Sequence, residues 1–263
     1  MALPTAHAAA PQDRGADRLA QVTDAVEQSG VRGIAWHTDE ASGRVVVTAD
    51  ASVSRAEIAT LRKAAGADAA ALRVERARGV FRPLLDSGDA IYGGGYRCSL
   101  GFNVVRDGAY HFLTAGHCGD VAGTWYTDAQ QRTLIGPTVH SSFPGNDYAL
   151  VRYDNSGLSH PGGWTAAEAY VGESVKRTGS TTGTHGGEVT ALDVTVRYTG
   201  SGTVRDMIQT NVCAEPGDSG GALYDGDKAL GITSGGSGDC RSGGTTFYQP
   251  VTEALAKYGA TLY

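Results

Sequence analysis

The sequence predicts a mainly β fold, a barrel or sandwich of short strands, preceded by a small α+β unit. Three observations carry the prediction. After Leu85, short apolar runs alternate with Gly, Ser, Thr, Asn and Asp. Helical spacing of apolar residues is confined to the segment before Leu85 and to the C-terminal tail. Finally, 38 glycines in a chain of 263 residues supply the many turns that short strands need. A chain of this length can bury a sizeable core in one large domain or two smaller ones.

The elements follow in order. Residues 1–10 are alanine-rich, with Ala-x-Ala spacing at Ala6 and Ala8 and again at Ala8 and Ala10. That spacing fits the remnant of a signal peptide or a disordered end. Leu19, Val22 and Val26 have helical spacing, and Gly30 supplies a stop. Ile34 and Trp36, then Val45 and Val47, alternate on either side of Asp39 to Gly43 and predict a hairpin. Ser54 with Glu57 forms a capping box ahead of a helix bearing Ile58 and Leu61, and a strand follows through Leu72 and Val74. Beyond Leu85, residues 98–105, the turn Asp107-Gly108 and residues 110–115 read as a hairpin. Further strands are expected at 148–153, 188–196, 207–212, 221–223 and 229–233. Residues 252–258, after Pro250 and before Gly259, read as the one late helix.

Composition excludes several classes. The net charge of −6 is +1 over residues 1–85 and −7 over residues 86–263, and no basic stripe is present, which argues against a nucleic-acid partner. No apolar run approaches the roughly 20 residues of a membrane span. Cys98, Cys118, Cys213 and Cys240 lack zinc-ligand spacing, so two disulfides and an oxidising, extracellular setting are expected, with neither metal nor cofactor. Of three connectivities, the expectation is the sequence-near one, Cys98 with Cys118 and Cys213 with Cys240.

Residues 214–223 read AEPGDSGGAL and contain the G-x-S-x-G pattern of an exposed nucleophilic serine, Ser219. A serine hydroxyl needs a base, and the base needs an acid to hold its tautomer. None of the seven histidines follows Ser219, which excludes the chain order of α/β hydrolases. His117, at the end of an apolar strand and beside Cys118, is the candidate base. Asp147 enters an apolar strand, where an unpaired carboxylate is costly, and is the candidate acid.

The order His117, Asp147, Ser219 is that of the trypsin and chymotrypsin clan. Five segments, TAGHC at 114–118, NDYALVRY at 146–153, GSTTGTH at 179–185, NVCAEPGDSGG at 211–221 and TSGGSG at 233–238, closely resemble the streptogrisins, serine proteases secreted by streptomycetes. The resemblance runs through nearly all of residues 89–263; the first segment resembles their propeptides in size and pattern.

The resemblance implies two six-stranded antiparallel β barrels, chymotrypsin-like, with a propeptide at 11–85 and a protease domain at 86–263. It implies a monomer acting on proteins or peptides, with the propeptide as intramolecular inhibitor or folding aid. His117 would be general base and then acid, Asp147 would orient it, and Ser219 would attack. Backbone N–H groups of Gly217 and Ser219 would form the oxyanion hole. Ser234, Gly235 and Gly236 would pair with substrate backbone as an added strand. Asp218 would pair with Arg177 rather than with a new amino terminus at Ile91. Where trypsin-like relatives have a pocket Asp this chain has Asn211, and where glutamyl-specific relatives have His and Ser it has Thr233 and Gly236. An open, uncharged slot for Phe, Tyr, Leu or Met is therefore expected. Cleavage is expected near Leu85-Asp86, with Leu85 itself in that slot. The rival expectation is an inactive homologue that uses the cleft only to bind.

Overall fold

A computed structural model describes residues 11–81 and 85–263, which form two compact units. The expected signal remnant at 1–10 lies outside the described residues. The first unit comprises helix α1 (Pro11–Gln28), strands β1 (Ile34–Asp39) and β2 (Arg44–Ala49), helix α2 (Arg55–Ala64) and strand β3 (Leu72–Arg76). β1 and β2 are the expected antiparallel hairpin, and β3 returns parallel to β2 after the α2 crossover. Both halves of the capping box form: Glu57 N donates to Ser54 Oγ, and Ser54 N donates to Glu57 Oε2. Val22 and Val26 of α1 and Leu61 of α2 close over Val45 and Val47 of β2, so the 3.6-residue and 2-residue periodicities meet in one core.

The second unit contains β4 (Ala90–Gly93), β5 (Tyr96–Ser99), β6 (Phe102–Arg106), β7 (Ala109–Thr114), α3 (Gly116–Val121), β8 (Thr124–Tyr126), β9 (Leu134–Ser142) and β10 (Tyr148–Arg152) in its first half. Its second half has β11 (Thr165–Ala166), β12 (Ser174–Gly179), β13 (Gly183–Tyr198), β14 (Gly202–Thr210), β15 (Ala222–Asp225), β16 (Lys228–Asp239), β17 (Gly243–Pro250) and α4 (Val251–Tyr258).

The first half orders its strands β5, β4, β8, β9, β10, β7, β6. The two ends of that series, β5 and β6, are separated only by Leu100 and Gly101, so one bent segment closes six strands into a barrel. Gly101 sits at the bend because a Cβ there would stand 2.7 Å from Gly220 O and 2.8 Å from Leu113 O. In the second half, β16 pairs with both β15 and β17 and so closes β12 to β17 into a second six-stranded barrel. The two-residue β11 adds to β16 in parallel, outside that ring.

Phe102, Leu113, Tyr148 and Leu150 of the first barrel pack with Ala222 and Ile232 of the second and with Val251 and Leu255 of α4. The C-terminal helix is thus part of the seam between barrels. Cys98 is bonded to Cys118, and Cys213 to Cys240.

Leu85 is only 4% exposed and packs with Ile91, Leu100 and Phe112 in the first barrel. Its N–H donates to Ser159 O at 2.7 Å, and its carbonyl accepts from Asn103 Nδ2 at 2.9 Å. A leucine so placed is part of the core of the first barrel. Leu85→Ala is therefore expected to destabilise the barrel unit by about 2–5 kcal/mol, read from the urea midpoint. An unchanged midpoint would show Leu85 to be dispensable.

Candidate active site

His117 lies on α3, directly after β7, and Cys118 ties that helix to β5. Asp147 immediately precedes β10 and has no exposed surface. The backbone N–H of His117 donates to Asp147 Oδ1 at 2.9 Å, and its Nδ1 lies 2.9 Å from Oδ2. A carboxylate only accepts, so Nδ1 carries the proton and the Nε2 lone pair is left for the cleft. Burial pushes the His117 pKa down, but the hydrogen bond and charge of Asp147 outweigh it and raise it above the ordinary histidine value.

Asp147 has a further donor. Ser234 Oγ donates to Asp147 Oδ2 at 2.5 Å. Having one proton, Ser234 must accept from the Tyr198 hydroxyl, 2.9 Å away. Burial pushes that phenol up to about 12, so it keeps its proton at working pH. The side chain of Ser234 therefore serves Asp147, and only its backbone is left for the strand-pairing role expected from sequence. Tyr198 was not foreseen; an exposed-looking Tyr before Thr-Gly-Ser-Gly carries no local signal.

Ser219 stands in a turn hung between barrels. Its carbonyl accepts from Ser99 N of β5 at 2.8 Å, and the Gly217 carbonyl accepts from Ser99 Oγ at 2.8 Å. Gly217 has φ +100, and a Cβ there would collide with Thr181 Oγ1, so both backbone and space require glycine. Asp218, Gly220 and Gly221 donate their N–H groups within the chain. Among the described residues no internal acceptor is recorded for Gly217 N or Ser219 N, the two expected oxyanion donors.

The turn is held from beneath by a buried ion pair. Arg177 Nη1 is 3.2 Å from Asp218 Oδ2, and neither side chain is exposed. Asp218 Oδ1 accepts from Thr181 N and Thr182 N, and Oδ2 from Thr182 Oγ1 and Glu215 N. Arg177 also donates to Cys213 O and Gly183 O. Burial pushes the Asp218 pKa up, but these donors and the guanidinium bring it below the usual carboxylate range. A buried pair with all its valences filled is the arrangement in which burial of charge is tolerated. Ile91, the alternative amino terminus, is fully buried within β4.

Two cavities adjoin along Gly235 and Gly236 of β16. One, of about 410 Å³, is bounded by Ser219, Thr233, Gly238 and Glu215; the other, of about 320 Å³, by His117, Phe143 and Tyr198. His117 and Ser219 thus open onto one cleft, although no hydrogen bond between them is recorded among the described residues. Catalytic hydrogen bonds of this kind commonly tighten only with substrate bound. Asn211 is exposed, its Oδ1 accepts from Glu188 N, and it is not among the residues bounding the cavity. Glu215 borders the cavity, and its Oε1 accepts from Cys240 N at 3.1 Å.

Residues 95–257 match the trypsin family, and residues 8–69 match the alpha-lytic protease prodomain. Streptogrisin-A of Streptomyces griseus is 50% identical over 93% of this chain and 83% of its own length. The chain belongs to the streptogrisin-type serine proteases of the chymotrypsin clan and carries a propeptide.

Among solved structures, a chymotrypsin of Cellulomonas bogoriensis is 48% identical with a TM-score of 0.58, over 68% of this chain and 98% of its own. A glutamic-acid-specific serine protease is 45% identical with a TM-score of 0.64, over 68% of this chain and 100% of its own. Streptogrisin-type membership therefore fixes a serine endopeptidase acting on peptide substrates, with the prodomain as intramolecular partner. No helix among the described residues is long and apolar enough to cross a membrane.

If His117 acts as base it must be neutral, so activity rises as pH passes its pKa. Because that pKa is raised, the acid limb of kcat/KM is expected to have its midpoint above about 6.5. Asp147→Asn should lower kcat by roughly four orders of magnitude, and the residual activity should titrate at lower pH. A wild-type midpoint below the ordinary histidine value would contradict the Asp147 coupling.

Proposed function

We propose that the chain is a secreted, self-maturing zymogen whose protease cleaves after large apolar or aromatic residues. The observation that carries this reading is the His117 ring, held by buried Asp147 with its free nitrogen toward the cleft that Ser219 lines. Ser219 Oγ attacks the substrate carbonyl carbon while its proton passes to His117 Nε2. The resulting oxyanion lies between the N–H groups of Gly217 and Ser219, where one such donor is worth about 2.7–4 kcal/mol. The C–N bond then breaks, and His117 returns the proton to the leaving amine. Water repeats the sequence on the acyl-enzyme, its proton passing through His117 to Ser219 Oγ as the acid departs. No metal or cofactor is needed, because base, orienting acid and oxyanion donors all come from the chain.

Glycines 235, 236 and 238 keep one wall of the 410 Å³ cavity free of side chains, which suits a broad apolar group. No Lys, Arg or His is among the described residues that line this cavity, so nothing there pairs with an acidic side chain, which weighs against glutamyl preference. Substrate backbone pairs with residues 234–236 of β16. Two disulfides support an extracellular setting.

Because Leu85 is built into the barrel, we place the maturation cut one bond earlier than the sequence reading did, between Leu84 and Leu85. Leu84 then supplies the apolar residue of the slot. Intact mass and amino-terminal sequencing of the expressed chain, beside Ser219→Ala, test this. The wild type should begin at Leu85 while the variant keeps its first unit; a wild type that begins at Asp86 or Ile91 would refute the junction. A variant trimmed as fully as the wild type would refute self-processing.

A further inference from the structure

The carboxylate of Asp147 is held by the residues already described, but its backbone is held by something else. Asp147 precedes β10, so its N–H stands outside the strand ladder. That N–H donates to Gln249 Oε1 of β17 at 2.9 Å, across the seam from the second barrel. Gln249 is fully buried, and its Nε2 donates to Glu253 Oε2 on the first turn of α4. The other Glu253 oxygen, Oε1, accepts from the Tyr148 hydroxyl at 3.3 Å, and that hydroxyl accepts from Asn146 Nδ2 at 3.0 Å. Three consecutive residues, 146 to 148, are thereby tied to one carboxylate of the C-terminal helix.

The chemistry leaves little freedom at position 249. Asp147 N–H needs an acceptor and the Glu253 carboxylate needs a donor, and a side-chain amide offers one of each. A carboxylate there would face Glu253 with like charge, and a hydrocarbon would leave both partners unsatisfied in a buried place. Burial raises the Glu253 pKa, and burial together with the Glu253 charge pushes the Tyr148 phenol up to about 12, so this phenol remains a donor. Meanwhile Tyr258 OH of α4 donates to Tyr148 O at 3.0 Å, adding a second tie from the same helix.

We propose that Gln249, itself oriented by Glu253, is a positioning residue of the protease: it sets Asp147, and through it His117, against the Ser219 turn of the other barrel. The inference rests on the reading of His117, Asp147 and Ser219 given above. It assigns to the C-terminal segment a part in turnover beyond covering the core. Gln249 touches no substrate, so its loss affects the chemical step and not the binding of the peptide.

The test compares full-length chains carrying Gln249→Leu, Gln249→Glu, and the exchange Gln249→Glu with Glu253→Gln, all assayed on one apolar peptide substrate after maturation and all checked by thermal unfolding. The exchange rebuilds each hydrogen bond with amide and carboxylate reversed. Gln249→Leu should lower kcat by about 10- to 100-fold with KM within about twofold, and the exchange should recover most of what Gln249→Glu loses. If Gln249→Leu does not mature or fold, the comparison of Gln249→Glu with the exchange decides alone. Folded Gln249→Leu with wild-type kcat, or a folded exchange no better than Gln249→Glu, would overturn the proposal. A wild type that turns over no peptide at all would instead overturn the protease reading beneath it.

Discussion

A carboxylate with no exposed surface, Asp147, is the constraint on which the rest of the second unit depends. An unpaired buried charge would cost far more than the margin by which a domain is stable. Its oxygens are satisfied by His117 from the first barrel and Ser234 from the second, and its N–H by Gln249 from the second. The full set of partners cannot be supplied by one barrel alone. The need to satisfy Asp147 therefore couples the barrels' relative placement to the orientation of the His117 ring.

The same logic governs the serine turn. Asp218 and Arg177 are both buried, and each fills its remaining hydrogen-bonding capacity with backbone and threonine groups. Breaking such a pair from one side is costly because the survivor stays charged and unsolvated. Above it, the carbonyls of Pro216 and Asp218, which share peptide planes with the N–H groups of Gly217 and Ser219, accept from Thr181 Oγ1 and Gly221 N and so hold those planes. Donors fixed before substrate arrives need not reorganise as charge develops, which is the physical basis of oxyanion stabilisation.

Legibility in the sequence followed the range of the interaction. His117, Asp147 and Ser219 were readable because each stands in a distinctive local string, and the capping box of α2 and the Gly259 stop of α4 were readable because capping is decided within a few residues. Strands β12 and β17 escaped notice since SVKRTG and GGTTFYQP have little apolar alternation; they are strands because neighbours pair with them. The closure of the first barrel through the bend at Leu100–Gly101 was equally invisible. The packing of Leu85 was not legible, because an apolar residue before a polar turn reads alike as barrel core or as a cleavage residue, and its burial is a property of the folded barrel. Tyr198 and Gln249 act across 36 and 102 residues of sequence, a distance at which local pattern says nothing.

The most direct measurement of the central claim is active-site labelling of the matured protein with a fluorophosphonate, followed by peptide mapping. One adduct per chain, on Ser219, formed far more slowly in the Asp147→Asn protein, is the result expected of a serine activated through His117. Stoichiometric labelling at another residue, or none in a folded and trimmed chain, would mean that these residues share a cleft without acting as a nucleophile and its base.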